Sequence, residues 1–196
     1  MDKIAAVILA AGCSSRLGQA KQLVEFEGKT LLERAIDAAA RVKCEPIIVI
    51  VGAHAEQIAM RVDQSRAQFV ENADREKGIG SSIRAGILQL QKTEPAASAV
   101  LLMLSDQPFV GESQLSRLVH ARQKTRNPIV CSQYSETVGV PAIFGREFFD
   151  ELMQLGKAGA KELLLAHSNQ CAHVLMPEAE RDIDTAAALD TLRDGG

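Results

Sequence analysis

The sequence predicts an α/β protein with three layers, a mostly parallel sheet flanked by helices on both faces. Three observations lead there. The apolar runs IAAVILA, PIIVIVG and SAVLLML do not alternate with polar residues, as strands buried on both faces require. Segments of helical period separate these runs, and a strand–helix–strand rhythm produces parallel pairing. Hydrophobic residues make up 46% of the 196, with no Trp and one Tyr. The expected core is therefore aliphatic and large enough for one domain over residues 1–196.

The elements follow in order. Residues 4–10 read as the first buried strand. A helix over 30–42 is expected because Thr30 can cap it and Glu33 stands three residues later, the spacing of a capping box. A second buried strand covers 46–52, a short helix 55–62 and a short strand 67–72. The segment 81–91 reads as a helix, with Ser81 as its cap. The fourth strand, 98–104, ends at Ser105-Asp106, and a helix over 112–124 leads to a strand at 128–133. After Tyr134 the rhythm changes. Residues 137–145 read as extended chain around Pro141, 148–155 and 158–168 as helices, 171–177 as a last strand and 185–194 as a C-terminal helix. No repeat, low-complexity tract or linker interrupts the chain.

Composition excludes several function classes. A net charge of −3 with no basic stripe argues against nucleic acid as a partner. No apolar run reaches the roughly 18 residues that span a bilayer. The N-terminal apolar run, with Asp2 ahead of it and a small-residue loop behind, reads as a buried strand rather than a signal peptide. Cys13, Cys44, Cys131 and Cys171 are widely spaced, and His54, His120, His167 and His173 show no metal-ligand spacing. The expectation is a soluble cytoplasmic protein with reduced thiols, no zinc site and no membrane contact.

The chemistry concentrates in the loop after the first strand. Open parallel sheets bind ligands beyond the carboxyl ends of their strands. Ala10, Ala11 and Gly12 lie there and carry so little side chain that a ligand can approach the backbone. Arg16 offers a planar fork of donors suited to phosphate and Lys21 a point charge. The spacing is neither GxxxxGK[ST] nor GxGxxG, and an ordinary βα turn with two solvated cations would satisfy the same residues. A second feature is Asp106, just past the fourth strand, where a carboxylate can hold Mg²⁺ or begin a turn before Pro108. A third is RDIDT, residues 181–185, in which Asp182 or Asp184 can complete a metal site or cap the last helix. Together these make a triphosphate site in which charge neutralisation and positioning carry the catalysis.

The motifs also carry a resemblance. LAAGCSSRLGQAKQL resembles the LAAGxSxRxGxxK motif of MobA-like nucleotidyltransferases, which have a Rossmann-like glycosyltransferase-A fold. LSDQP, GVPAIF, GKAGAKELL and DIDT resemble, in the same order, blocks of the molybdopterin cytidylyltransferase branch. The resemblance implies Mg²⁺-dependent transfer of a nucleotidyl group from a nucleoside triphosphate, CTP in that branch, to molybdopterin, with release of pyrophosphate. It implies that Ala10, Ala11, Gly12 and Ser14 lie against the nucleotide and that Arg16 and Lys21 contact its phosphates. Asp106 and Asp184 would ligate Mg²⁺, and Gly80 and Ser82, in EKGIGSSIRAG, would line the base. Arg16, Lys21 and Asp106 would be the catalytic residues, and a molybdoenzyme or maturation factor the macromolecular partner. The chain departs from the branch at Arg75 and Glu76, where Trp is frequent, at Lys157, where Asp is common, and at Ala186, where PED usually follows DIDT. The alternatives are transfer from GTP, a sugar or alditol phosphate as acceptor, or a binding protein that kept the fold without catalysis.

Overall fold

A computed structural model describes residues 3–12 and 20–180. The first strand, β1 (Ile4–Ala10), is buried throughout, as its unbroken apolar run requires. A small hairpin, β2 (Glu25–Phe26) and β3 (Lys29–Thr30), follows the loop. The apolar pattern does not predict it. Its two-residue turn places Glu27 at φ 51° and Gly28 at φ 78°, the pair of positive φ values that a tight hairpin turn needs. Glu-Gly is a weaker signal for such a turn than Asn-Gly or Asp-Gly.

Helix α1 (Leu31–Arg41) starts as expected. The Thr30 hydroxyl accepts from the Glu33 amide at 3.2 Å, and the Thr30 amide donates to Glu33 Oε2 at 2.8 Å. Thr30→Ala should therefore cost about 1 kcal/mol in denaturant-measured stability. The chain continues through β4 (Ile47–Val51), α2 (Ala55–Arg61), β5 (Gln68–Glu71), α3 (Ile79–Thr93) and β6 (Ala99–Leu104). Helix α3 begins two residues earlier than the pattern predicts, with Gly78 rather than Ser81 at its cap. Gly78 has φ +104°, which a residue with a Cβ rarely adopts, and the Ser81 hydroxyl donates to Gly78 O at 2.7 Å. Helix α4 (Glu112–Thr125) leads to β7 (Ile129–Tyr134), β8 (Thr137–Gly145), α5 (Phe149–Met153), α6 (Ala160–Ala166) and β9 (Cys171–Leu175). The predicted helix over 185–194 lies outside the described residues.

The strands other than the hairpin form one seven-stranded sheet in the order β5-β4-β1-β6-β8-β7-β9. Only β8 runs against its neighbours, pairing antiparallel with β6 and β7, so the sheet is mostly parallel. Pro141 sits inside β8 and has no N–H to give the ladder. The register shifts there, from Cys131↔Ala142 to Ser132↔Gly139, which absorbs the missing donor as a bulge.

Alternate side chains of β1 enter two separate cores. Ala6, Ile8 and Ala10 pack with residues of α1, α2 and α4, among them Leu32, Ile58 and Leu115. Ala5, Val7 and Leu9 pack with residues of α3, α5 and α6, among them Ile83, Leu152 and Leu164. The chain first moves outward from β1 to β4 and β5, then returns past β1 to β6. Right-handed crossovers require the helix of that reversal to lie on the opposite face from the helices before it. Helix α3 does so. The reversal makes the carboxyl ends of β1 and β6 the switch point at which open α/β sheets take ligands. No helix among the described residues is long and apolar enough to cross a membrane.

Candidate active site

Two chemistry-bearing residues meet at this switch point. Lys21 lies in a short 3-10 turn, Lys21–Leu23, that closes the loop after β1. Asp106 follows the end of β6, and Lys21 Nζ stands 3.4 Å from Asp106 Oδ2. Both side chains are largely but not fully buried, at 18% and 21% exposure, so they stay reachable from solvent. Parallel pairing of β1 with β6 brings these distant parts of the chain together, since Leu9 is in register with Leu104.

Buried amides hold the backbone around this pair. Gln22 is buried, and its Nε2 donates to Ala10 O at 2.6 Å and Gly12 O at 3.3 Å. This turns the carbonyls of the small-residue stretch inward. The Ser105 amide and hydroxyl both reach Leu9 O at 3.3 Å, tying the turn after β6 to β1. Gln107 is also buried and donates through Nε2 to Ala179 O at 2.7 Å and Val140 O at 3.3 Å. It thereby anchors the 3-10 turn Pro177–Glu180 beside Asp106. Gln22 Oε1 and Gln107 Oε1 are buried without a hydrogen-bond partner among the described residues. Both glutamines stand inside the motifs LAAGCSSRLGQAKQL and LSDQP, whose residue types assign them no role. Their function is backbone anchoring, which residue type alone does not signal.

Among the described residues, none has an atom within 4 Å of where a Cβ on Gly12 would stand. Gly52, just past β4, is the reverse. A Cβ on it would lie 2.7 Å from Ala11 O and 3.0 Å from Arg75 Cδ. Arg75 is thereby placed against the end of the small-residue stretch.

Gly80 and Ser82 stand at the start of α3 and are buried. A Cβ on Gly80 would lie 2.1 Å from Leu155 O and 2.4 Å from Gly156 O. Gly78 packs in the same way on Lys157, and Ile79 on Gly159. The glycines of EKGIGS and of GKAGA thus interlock, seating the turn after α5 against the first turn of α3. Ser82 Oγ accepts from Asn72 Nδ2 at 2.9 Å, and Asn72 also donates to Ser81 Oγ at 2.8 Å. Asn72, the last residue of the expected strand 67–72, is a further buried organiser that its position alone does not reveal. Ser14, Arg16 and Asp184 lie outside the described residues, as do Cys13 and Asp182.

Comparison with known proteins bears on the family and the fold. The profile of the MobA-like NTP transferase domain matches residues 6–171. The chain is 30% identical over 124 residues to nicotine blue oxidoreductase of Paenarthrobacter nicotinovorans, covering 63% of this chain and 59% of that one. It is 30% identical over 167 residues to bifunctional protein GlmU of Burkholderia orbicola, covering 83% of this chain and 36% of GlmU. The chain therefore spans only part of the length of these relatives. Among solved structures, Rv0371c of Mycobacterium tuberculosis H37Rv aligns with TM-score 0.82 at 28% identity, over 98% of both chains. A complex of Rv0371c with manganese gives TM-score 0.80 at 26% identity, over 99% of this chain and 100% of that one. The architecture is accordingly the Rossmann-like glycosyltransferase-A type.

Proposed function

Since the chain belongs to the MobA-like NTP transferase family, we propose that it transfers a cytidylyl group from CTP to the phosphate of a molybdopterin-type acceptor, releasing pyrophosphate. The observation that carries this reading is the Lys21–Asp106 pair, 3.4 Å apart at the switch point. An acceptor phosphate oxygen attacks the α-phosphorus of the nucleotide. The bond from that phosphorus to the oxygen bridging to the β-phosphorus breaks, and pyrophosphate leaves. No covalent enzyme intermediate is needed, so the work of the protein is to place the two phosphates in line and balance their charge. Ala10, Ala11, Gly12 and Ser14 line the nucleotide, Arg16 and Lys21 face its phosphates, and Gly80 and Ser82 organise the wall beside the base. Arg75 and Lys157, the two basic departures from the branch, supply positive charge for the acceptor side.

The residues fit a hard divalent cation. Asp106 offers a carboxylate that is still 21% exposed, an oxygen donor of the kind Mg²⁺ and Mn²⁺ prefer. Asp106 and Asp184 would hold the ion, which when bound supplies charge neutralisation for the phosphates. Two facts support this assignment. Gln107 fixes Ala179, five residues before Asp184, next to Asp106. The related Rv0371c has been crystallised with manganese.

The test is a pyrophosphate-release screen crossing the four nucleoside triphosphates with molybdopterin, sugar phosphates and alditol phosphates, with and without Mg²⁺. Release confined to CTP with molybdopterin and Mg²⁺ is the expected result. Release with GTP, or with another acceptor, would replace the substrate assignment. No release with any pair, together with no thermal stabilisation by any nucleotide, would remove the enzymatic reading.

A further inference from the structure

The sequence disperses its cysteines and histidines, but the sheet gathers three of them away from the Lys21–Asp106 site. Strands β7 and β9 pair in parallel at one edge of the sheet, with Cys131 directly opposite His173 and Ile129 opposite Cys171. Residues two apart on a strand share a face, so Cys171 and His173 project to the side on which Cys131 lies. The donor atoms of Cys131, Cys171 and His173 all lie within 4.8 Å of one another. Cys131 is fully buried, Cys171 half-buried and His173 exposed, so the cluster opens to solvent on its histidine side. The Cys171 thiol donates to His167 O at 3.4 Å and Leu164 O at 3.8 Å, which ties it to the end of α6.

We propose that Cys131, Cys171 and His173 form a binding site for a thiophilic divalent metal, Zn²⁺, that fastens the edge strand β9 to β7. Two arguments select a metal over the other use of paired thiols. The register sets Cys131 and Cys171 on a diagonal between neighbouring parallel strands; two residues advance a strand by about 6.6 Å and neighbouring strands lie about 4.8 Å apart, so a flat diagonal spans about 8 Å between Cα atoms. That exceeds the roughly 7 Å limit for a disulfide without backbone movement. A tetrahedral ion with bonds of about 2.0–2.3 Å holds its donors about 3.3–3.8 Å apart, inside the 4.8 Å within which these three donor atoms lie. The donor set of two thiols and an imidazole, with no carboxylate in the group, selects Zn²⁺ against Mg²⁺ and Ca²⁺. Three protein ligands leave the fourth position to water or to an added ligand, on the exposed side. This site does not depend on the nucleotidyl-transfer reading.

The test is a Co²⁺ titration of the reduced, chelator-treated full chain in excess Mg²⁺, which occupies oxygen-donor sites. The expected result is one Co²⁺ per chain with thiolate-to-cobalt charge-transfer absorption and tetrahedral d–d bands, both displaced by Zn²⁺. Zn²⁺ should also raise Tm. His173→Ala, at an exposed position that leaves the core untouched, should weaken binding by more than the roughly 10–100-fold that loss of an outer partner costs. Cys171→Ser should lower the charge-transfer intensity, and Cys44→Ala should leave it unchanged. Absence of bound Co²⁺, or binding without the thiolate band, overturns the site. So does a spectrum indifferent to both His173→Ala and Cys171→Ser.

Discussion

Replacing Lys21 by Ala is expected to lower turnover by about 10²–10³-fold, the loss that follows removal of one preorganised charge-stabilising donor. The side chain is 18% exposed and lies 3.4 Å from Asp106, at the switch point where the phosphates would sit. A cation held there balances charge on the departing pyrophosphate more than on the ground-state triphosphate, so kcat should fall more than KM rises. Stability should hardly change. Partly exposed ion pairs contribute about 0–1 kcal/mol, and Lys21 is not part of either apolar core. Lys21→Arg should recover little, because a planar fork does not reproduce a compact ammonium. Asp106→Asn should give a loss of the same order, and the double variant should lose less than the product, as expected for groups acting as a unit. Pyrophosphate release at the wild-type rate in Lys21→Ala, with the protein folded by circular dichroism, would remove Lys21 from the machinery.

Much of this arrangement could be read from residue pattern, and the part that could not has a physical reason. The run Ile4–Ala10 has no polar residue to satisfy with solvent, which suits a central strand buried on both faces. Thr30 and Glu33 mark a helix start because both their side chains and their amides find partners locally. The expected strand at the end of the fourth run likewise delivered Asp106 to the carboxyl edge of the sheet. Legibility fails where the determining contact is long-range. Gln22 and Gln107 anchor carbonyls that no sequence spacing predicts. The grouping of Cys131 with Cys171 and His173 arises only once β7 and β9 pair. Arg75 and Lys157, departures from the branch in sequence, acquire meaning only through the glycines against which they lie.

Gly80→Ala should lower stability by about 3 kcal/mol, at the upper end of the usual cost of overpacking. For a chain of this length that corresponds to a fall in Tm of roughly 6–12 °C. The added Cβ would stand 2.1 Å from Leu155 O and 2.4 Å from Gly156 O. Both are backbone atoms, which cannot rotate away as a side chain can, so either the first turn of α3 or the turn after α5 must move. The strain reaches the site as well, because Ser82 and its bond from Asn72 lie on that same turn. Nucleotide affinity should therefore fall together with stability. Gly12→Ala provides the contrast. No atom of the described residues lies within 4 Å of its Cβ position, so the substitution should leave Tm unchanged while raising KM for the nucleotide if the backbone there lies against it. A Gly80→Ala protein with wild-type Tm and only a raised nucleotide KM would mean that this glycine serves ligand approach rather than the helix–turn junction. Wild-type values of both would show that the junction yields without cost.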